Sequence, residues 1–357
     1  AWLAPSQSVL TPVQCTRPSA RCLKTSVLTA PIFCASTVRV SASGPTDWAM
    51  TPGKDAISDM TRIDSLLPPG WRLQRLFTGG SWLEGPCWLP RERRLRFSDV
   101  IGDRVWDLDP LTGEAAVHLE TPDHVNGRTI DLDGSVLQCS HGGRRVERDR
   151  DGVVTTVVDH WQDHRFNSPN DIVVTSDGSI WFTDPAYGII YPQEGHPGSR
   201  EYCDHWVFRI TPRGRLTVVA TDVVEPNGIA FSPDETLCYI ADSAALNRDG
   251  VLARHHIRRY LVDDWRLKAG QDLAEVSPGV PDGIKVDEHG NIWSSCLDGI
   301  VVLTPEGEEI GRLPVPEKVG NLCFGGEDGT DLFIAASTSI YTIPTLTRDC
   351  RRAHGRA

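Results

Sequence analysis

No apolar run in this 357-residue chain reaches the roughly 18 residues that a membrane-spanning helix needs, so no membrane partner is expected. No long run of Lys or Arg stands out either. The 36 basic residues are outnumbered by 48 acidic ones, for a formal net charge of -12. Nucleic acids and anionic surfaces both demand a concentrated positive face, so neither is expected as a partner. Ten cysteines are present, at 15, 22, 34, 87, 139, 203, 238, 296, 323 and 350, but none forms a CxxC pair. Without clustered spacing a zinc site is not indicated. Cys87, Cys139, Cys238, Cys296 and Cys323 sit inside apolar, strand-like runs, where a free thiol behaves as a small hydrophobe. Reduced thiols in a cytoplasmic protein are the expectation. A GxSxG elbow is absent, and the isolated Ser-Asp pairs sit in turn-like stretches, so no nucleophilic triad competes. What remains is a 39% hydrophobic chain with 32 glycines, an ordinary globular composition that excludes a disordered protein.

The first 50 residues differ from the rest. They hold four basic residues (Arg17, Arg21, Lys24, Arg39) against one acid, Asp47, are rich in Ser, Thr, Ala and Pro, and show no sustained period. Met50 and Met60 are the only methionines. We expect residues 1–60 to be a disordered or non-native extension, with one of these methionines as the natural start. The alternative is an export segment, since such segments are Ser-rich and poor in acids; the protein would then be periplasmic.

From about residue 70 the chain repeats itself. Six segments share one plan: a polar residue beside Gly or Pro, a short apolar run, a turn, and a second apolar run. The third reads Pro169-Asn170-Asp171-Ile172-Val173-Val174, Ser176-Asp177-Gly178, then SIWFTD. The fifth reads Pro281-Asp282-Gly283-Ile284-Lys285-Val286, Glu288-His289-Gly290, then NIWSSC. The leading polar residues fall at 84, 126, 170, 227, 282 and 321. Asp-Gly between two β-rich runs signals a hairpin, and a further strand pair follows in each unit. Four strands per unit of about 40–50 residues is the signature of a propeller blade. The fold class is therefore all-β, a six-bladed β-propeller over residues 70–346 with a C-terminal tail at 347–357. The sixth unit supplies only three strands, and Trp71–Phe77 is expected to close the ring as its fourth, which also removes exposed sheet edges.

In a propeller the first strand of each blade lines the central channel and its leading end opens at one face. The six leading residues are Glu84, Asn126, Asn170, Asn227, Asp282 and Asn321. Any one of them taken alone is better read as a turn residue, because Asn-Gly and Asp-Gly are common turn pairs. All six in the same register, two acids among four carboxamides, point instead to a cation site at the channel mouth. Every donor is oxygen, which favours a hard ion: Ca²⁺ first, with Mg²⁺ or Mn²⁺ next and Zn²⁺ last. Asn126 and Asn321 are the weakest members. Asn321 is open to a hydrogen-bonding role, and Asn126 to contact with substrate.

The chain resembles the senescence marker protein/gluconolactonase/luciferin-regenerating enzyme family over about residues 72–345. The likeness rests on Glu84-Gly85-Pro86, Asn167-Ser168-Pro169-Asn170-Asp171, Pro226-Asn227-Gly228 and Pro281-Asp282-Gly283, in that order. Thr183-Asp184-Pro185-Ala186-Tyr187-Gly188 and His141-Gly142-Gly143-Arg144-Arg145-Val146 look more like the bacterial gluconolactonase branch. The resemblance implies one catalytic divalent ion on Glu84, Asn170, Asn227 and Asp282, and hydrolysis of a sugar lactone by water attack on a polarised carbonyl. Asp282 is the candidate base; a carboxylate bound to a cation has a lowered pKa and is a weak one. Asn126, Asn170, Arg165 and His141 are the candidate contacts to sugar hydroxyls. The Asn167-Ser168-Pro169 insertion shifts the register of Arg165 relative to the family's substrate arginine. A small-molecule lactone and a monomer or weak homo-oligomer are the expected partner and state.

Two other readings stay open: a related phosphotriesterase of the diisopropyl fluorophosphatase kind, with Asp282 as nucleophile, and a non-catalytic interaction propeller. His124 reads as a turn neighbour. His255-His256 is a poor metal pair, because adjacent strand residues point to opposite faces. Insertions at 185–204 and 244–259 are expected to be loops that set substrate choice.

Overall fold

The computed structural model describes residues 62–202, 204–244 and 254–351. The expectations for residues 1–60, Cys15, Cys22, Cys34 and Cys203, and much of the second insertion, lie outside the described residues.

The first strand, β1 (Gln74–Thr78), is followed by the first blade: β2 (Leu83–Leu89), β3 (Arg94–Asp99), β4 (Arg104–Leu108) and β5 (Ala115–Glu120). The second blade is β6 (Val125–Ile130), β7 (Val136–Ser140), β8 (Arg145–Arg150) and β9 (Val153–Val158). A two-residue hairpin, β10 (His160–Trp161) with β11 (His164–Arg165), leads on to the third blade. That blade comprises β12 (Ile172–Val174), β13 (Ile180–Asp184), the short helix α1 (Tyr187–Ile190), β14 (Trp206–Ile210) and β15 (Leu216–Ala220). The fourth is β16 (Pro226–Phe231), β17 (Leu237–Asp242), β18 (His256–Asp263) and β19 (Arg266–Glu275). The fifth is β20 (Ile284–Val286), β21 (Ile292–Cys296), β22 (Gly299–Leu303) and β23 (Glu309–Pro314). The sixth, β24 (Val319–Gly325), β25 (Asp331–Ala336) and β26 (Ser339–Pro344), takes β1 as its outer strand.

The chain is thus a six-bladed propeller whose ring is closed by antiparallel pairing of β1 with β26. The closing strand starts at Gln74 rather than Trp71. Trp71 and Leu73 pack instead against an apolar cluster of the fifth and sixth blades, so their apolar character reports packing and not strand pairing. Residues outside 70–346 also pack on the ring. Ile63, Leu66 and Leu67 are buried in that same cluster, and Thr347, Asp349 and Cys350 are buried at the other end of the chain. Arg351 Nη1 donates to Thr129 Oγ1 at 2.7 Å, reaching the innermost strand of the second blade.

Apolar residues seal the blades against one another. Trp181 and Trp293 hold matching places on β13 and β21, are fully buried, and donate their indole N–H to Thr175 Oγ1 and Asp287 Oδ2, each at 3.0 Å. One cluster joins the third blade to the fourth, another the fourth to the fifth, and a third the sixth to the first. Cys87, Cys139, Cys238, Cys296, Cys323 and Cys350 are buried free thiols. Among the described residues no helix is long and apolar enough to cross a membrane.

At the hub the innermost strands come closer than side chains allow. A Cβ on Gly85 would lie 2.2 Å from the Asn126 carbonyl oxygen, and one on Gly127 would lie 2.4 Å from that of Asn170. On Gly228 it would meet the Asp282 carbonyl at 2.4 Å, on Gly283 the Asn321 side chain at 2.2 Å, and on Gly320 the Glu84 carboxylate at 2.4 Å. Backbone hydrogen bonds cross the same seams: Gly127 N to Asn170 O at 2.8 Å, Gly228 N to Asp282 O at 3.0 Å and Gly283 N to Gly320 O at 2.8 Å. Between the third and fourth blades the bond comes from Thr183 Oγ1 to Asn227 O, at 2.8 Å. The glycine beside five of the six leading residues, all but Asn170, is therefore required by the approach of the next blade. The remaining channel, at the opposite end, is a cavity of about 1050 Å³ lined by residues such as Trp88, Arg128, Lys285 and Cys323.

Gly228→Ala should force the fourth and fifth blades apart and cost about 1–3 kcal/mol or more, the ordinary cost of overpacking. Urea unfolding would read this, and an unchanged midpoint would contradict the seam.

Candidate active site

The six leading residues all lie at one end of the channel, and each is buried. Their side chains are aimed by an irregularity in the strand. Pairing with the neighbouring strand shifts register between Glu84 and Cys87, Val125 and Arg128, Pro226 and Ile229, and Val319 and Asn321. A bulge of this kind bends the strand and redirects a side chain. In the two remaining blades Asn170 and Asp282 stand just ahead of β12 and β20. Backbone and side-chain contacts link each of these strand heads to the next around the hub, so residues almost 240 positions apart share one rim.

The electrostatics centre on two carboxylates. Burial pushes the Glu84 carboxyl well above the ordinary range, and the charge of Asp282 pushes it further, while the Gly85 N–H and the Asn321 side chain oppose the shift. Asp282 is likewise raised, first by burial; Lys318 opposes this, Asp171 adds to it, and the Asn227 amide hydrogen-bonds the carboxylate. Glu84 Oε2 accepts from Gly85 N at 3.1 Å, and Asp282 N is fixed by Ser295 Oγ at 3.1 Å. Two buried carboxylates that repel each other need a shared proton or a cation. The donors around them are oxygens of carboxylates and carboxamides, which fits a hard divalent ion. Among the described residues no three His, Cys, Asp or Glu side chains gather into a metal-holding group, so a cation here would rely on the Asn oxygens for the rest of its shell.

His141 is fully buried, with Nε2 at 3.2 Å from Asn126 Nδ2 and 3.3 Å from Asn170 Nδ2. Burial holds the imidazole neutral by lowering its pKa to about 3. An Nε2 that faces two amide nitrogens is an acceptor, and this turns the oxygens of Asn126 and Asn170 the other way. Asn321 has the opposite sense: its Oδ1 accepts from Leu322 N at 2.9 Å and faces Lys285 Nζ at 3.4 Å. Its oxygen is engaged below the rim and its amide nitrogen is left for Glu84.

Arg165 lies on β11, where its Nη2 donates to Gly143 O at 2.9 Å and its backbone N–H to Glu201 at 2.8 Å; these contacts tie it to the second and third blades rather than to the six leading residues. His124 sits in a turn, with Nδ1 at 2.8 Å from Val100 O. His255 reaches Val276 O at 3.0 Å and Glu275 at 3.4 Å, away from the hub.

Sequence reasoning missed three groups near Asp282. Tyr187 opens α1 and is buried, and the charges of Glu225 and Asp282 act on its phenol beside Asn227 and Ser243. Glu194 is pushed up to about 7 by burial and then by Asp282, with Lys318 opposing. Lys318 Nζ stacks over the Trp82 ring, 4.6 Å from its centroid. Tyr187 and Glu194 belong to the 185–204 insertion, which has no period to read; the turn that carries Tyr187 is anchored by Asp184, whose oxygens accept from the backbone N–H groups of Asn167 and Ser168 at 2.8 and 2.9 Å.

Known proteins resemble this chain over most of its length. The gluconolactonase of Zymomonas mobilis is 30% identical over 313 residues, covering 80% of this chain and 85% of that protein. The pentonolactonase of Haloferax volcanii is 32% identical over 268 residues, covering 71% of this chain and 81% of its own. A solved gluconolactonase from Xanthomonas campestris superposes with a TM-score of 0.73 at 34% identity, covering 79% of this chain and 92% of that one. Residues 82–338 match the family model described as the SMP-30/gluconolactonase/LRE-like region, and the span takes in all six leading residues. The chain belongs to the SMP-30/gluconolactonase/LRE-like family.

Proposed function

We propose that this protein is a sugar lactone hydrolase that works with one divalent cation, Ca²⁺ first, held by Glu84, Asn170, Asn227 and Asp282. The observation that carries this reading is the buried, mutually repelling pair of Glu84 and Asp282 among carboxamides at one end of the channel. The lactonases among its relatives supply the substrate class. The bound ion supplies Lewis-acid polarisation of the lactone carbonyl.

The chain's own residues do the rest. Asp282 takes a proton from the attacking water, using burial and the nearby Asp171 charge to remain basic enough for the task. The C–O bond to the ring oxygen then breaks, and that oxygen takes the proton from Asp282, which leaves the open-chain hydroxy acid. His141 keeps the Asn126 and Asn170 oxygens facing inward; Asn126 and Asn170 also offer contacts to sugar hydroxyls. The buried rim limits the water that reaches the reacting carbon.

The deciding assay is a panel of sugar lactones tested after chelation and again with Ca²⁺, Mg²⁺, Mn²⁺ or Zn²⁺ added. Hydrolysis that is lost on chelation and regained with a metal supports the reading. Turnover of organophosphates without lactones, or of neither, overturns it. Asp282→Ala should fold normally and lose at least about 100-fold in kcat, and Glu84→Gln should weaken the cation affinity; near-wild-type turnover or an unchanged calcium titration would contradict these roles. The raised carboxylates also set a pH dependence. In the chelated protein the folded state holds protons more tightly than the unfolded chain, so this stabilisation is present at low pH and is lost as pH rises. Between about pH 4.5 and pH 7 the wild type should lose stability relative to a Glu84→Gln/Asp282→Asn double variant. Denaturant unfolding across that range measures it; parallel curves would contradict the burial of both charges.

A further inference from the structure

The Tyr187 side chain is buried at 5% exposure, and its hydroxyl makes no hydrogen bond of normal geometry. It nevertheless sits among polar groups, close enough to the Asn227 and Ser243 side chains and to the charges of Glu225 and Asp282 to be perturbed by all of them. A buried hydroxyl without a partner costs about 1–3 kcal/mol, and its persistence at the edge of a reactive site calls for an acceptor that arrives with the ligand.

The surrounding groups have other partners. Ser243 Oγ donates to the Pro281 carbonyl. The Asn227 side chain lies between Asp282 and Tyr187 and acts on both, His141 Nε2 faces the amides of Asn126 and Asn170, and Lys318 is stacked on Trp82. Among the described residues the Tyr187 hydroxyl and His141 Nδ1 are the donors of this set without a partner of normal geometry, and Tyr187 is the one beside Asn227 and Asp282.

The position is also rigid. Gly188 N donates to Ser168 Oγ at 2.9 Å, and Ser168 Oγ donates in turn to Pro185 O at 2.8 Å. A Cβ on Gly188 would lie 2.7 Å from His141 Cβ and 2.9 Å from Ser168 Cβ. The turn bearing Tyr187 is therefore clamped against the residue that orients Asn126 and Asn170. A donor fixed before substrate arrives needs no reorganisation when charge develops.

We propose that Tyr187 is a catalytic residue whose hydroxyl donates a hydrogen bond to the lactone carbonyl oxygen as that oxygen becomes negatively charged; this rests on the lactonase reading. Tyr187 keeps its proton throughout. The proton released by water passes to Asp282 and then to the ring oxygen as the ring opens, and no further reactant is needed.

Tyr187→Phe in the full-length, cation-loaded protein removes the hydroxyl and leaves the ring. We expect kcat on the best lactone of the panel to fall about 100- to 1,000-fold, as when one oxyanion donor is lost, with KM changed by no more than about threefold. Calcium affinity by calorimetry should match the wild type, and the melting temperature should be equal or higher, since no hydrogen bond of normal geometry is broken and an unpaired buried hydroxyl is removed. A kcat within about threefold of wild type overturns the proposal, and so does a loss of calcium affinity that accounts for the loss of rate. If the wild type hydrolyses lactones and Tyr187→Phe does so equally well, the role of Tyr187 fails alone; if the wild type hydrolyses none, both readings fail.

Discussion

Everything at the hub depends on how closely neighbouring innermost strands approach. Gly85, Gly127, Gly228, Gly283 and Gly320 each leave room for a carbonyl or a side chain of the next blade at a distance no Cβ could occupy. Backbone hydrogen bonds from Gly127, Gly228 and Gly283 lock the register of one blade to the next. Packing of apolar side chains between blades is tolerant of exchange at similar volume, but this contact is not. It fixes where each strand begins and so where each leading side chain stands.

That constraint turns a repeated dipeptide into a site. Six strand heads brought onto one rim concentrate polar side chains in a place shielded from water, and two of them are acids. Desolvation and mutual repulsion make Glu84 and Asp282 costly as a charged pair, and this cost is what a cation or a proton relieves. The carboxamides add oxygen without adding charge. Their orientation is set from behind the rim, by His141 for Asn126 and Asn170 and by Lys285 and Leu322 for Asn321. The four amides are therefore not equivalent, although the sequence repeats them alike.

The blade count, the closing strand and the positions of the six leading residues were legible because one pattern recurs in every blade. The purpose of the glycine was not. Asn-Gly and Asp-Gly read locally as turn pairs, whereas Gly127, Gly228 and Gly283 answer to a neighbour in the next blade, at Asn170, Asp282 and Asn321. The start of β1 was misplaced because the apolar Trp71 and Leu73 serve packing. The sense of each amide could not be read, since it is decided by residues on other strands. Tyr187 and Glu194 escaped notice because the insertion that carries them has no period, and their meaning comes from proximity to Asp282 alone. Arg165 was tied to Gly143 and Glu201 by a hairpin that sequence spacing does not reveal.

The central claim is that oxygens from four separate blades surround one ion. Anomalous diffraction from crystals grown with Ca²⁺ tests it most directly. The account predicts a single peak about 2.3–2.6 Å from oxygens of Glu84, Asn170, Asn227 and Asp282. A peak elsewhere, or none, with Glu84 and Asp282 sharing a proton, would contradict it.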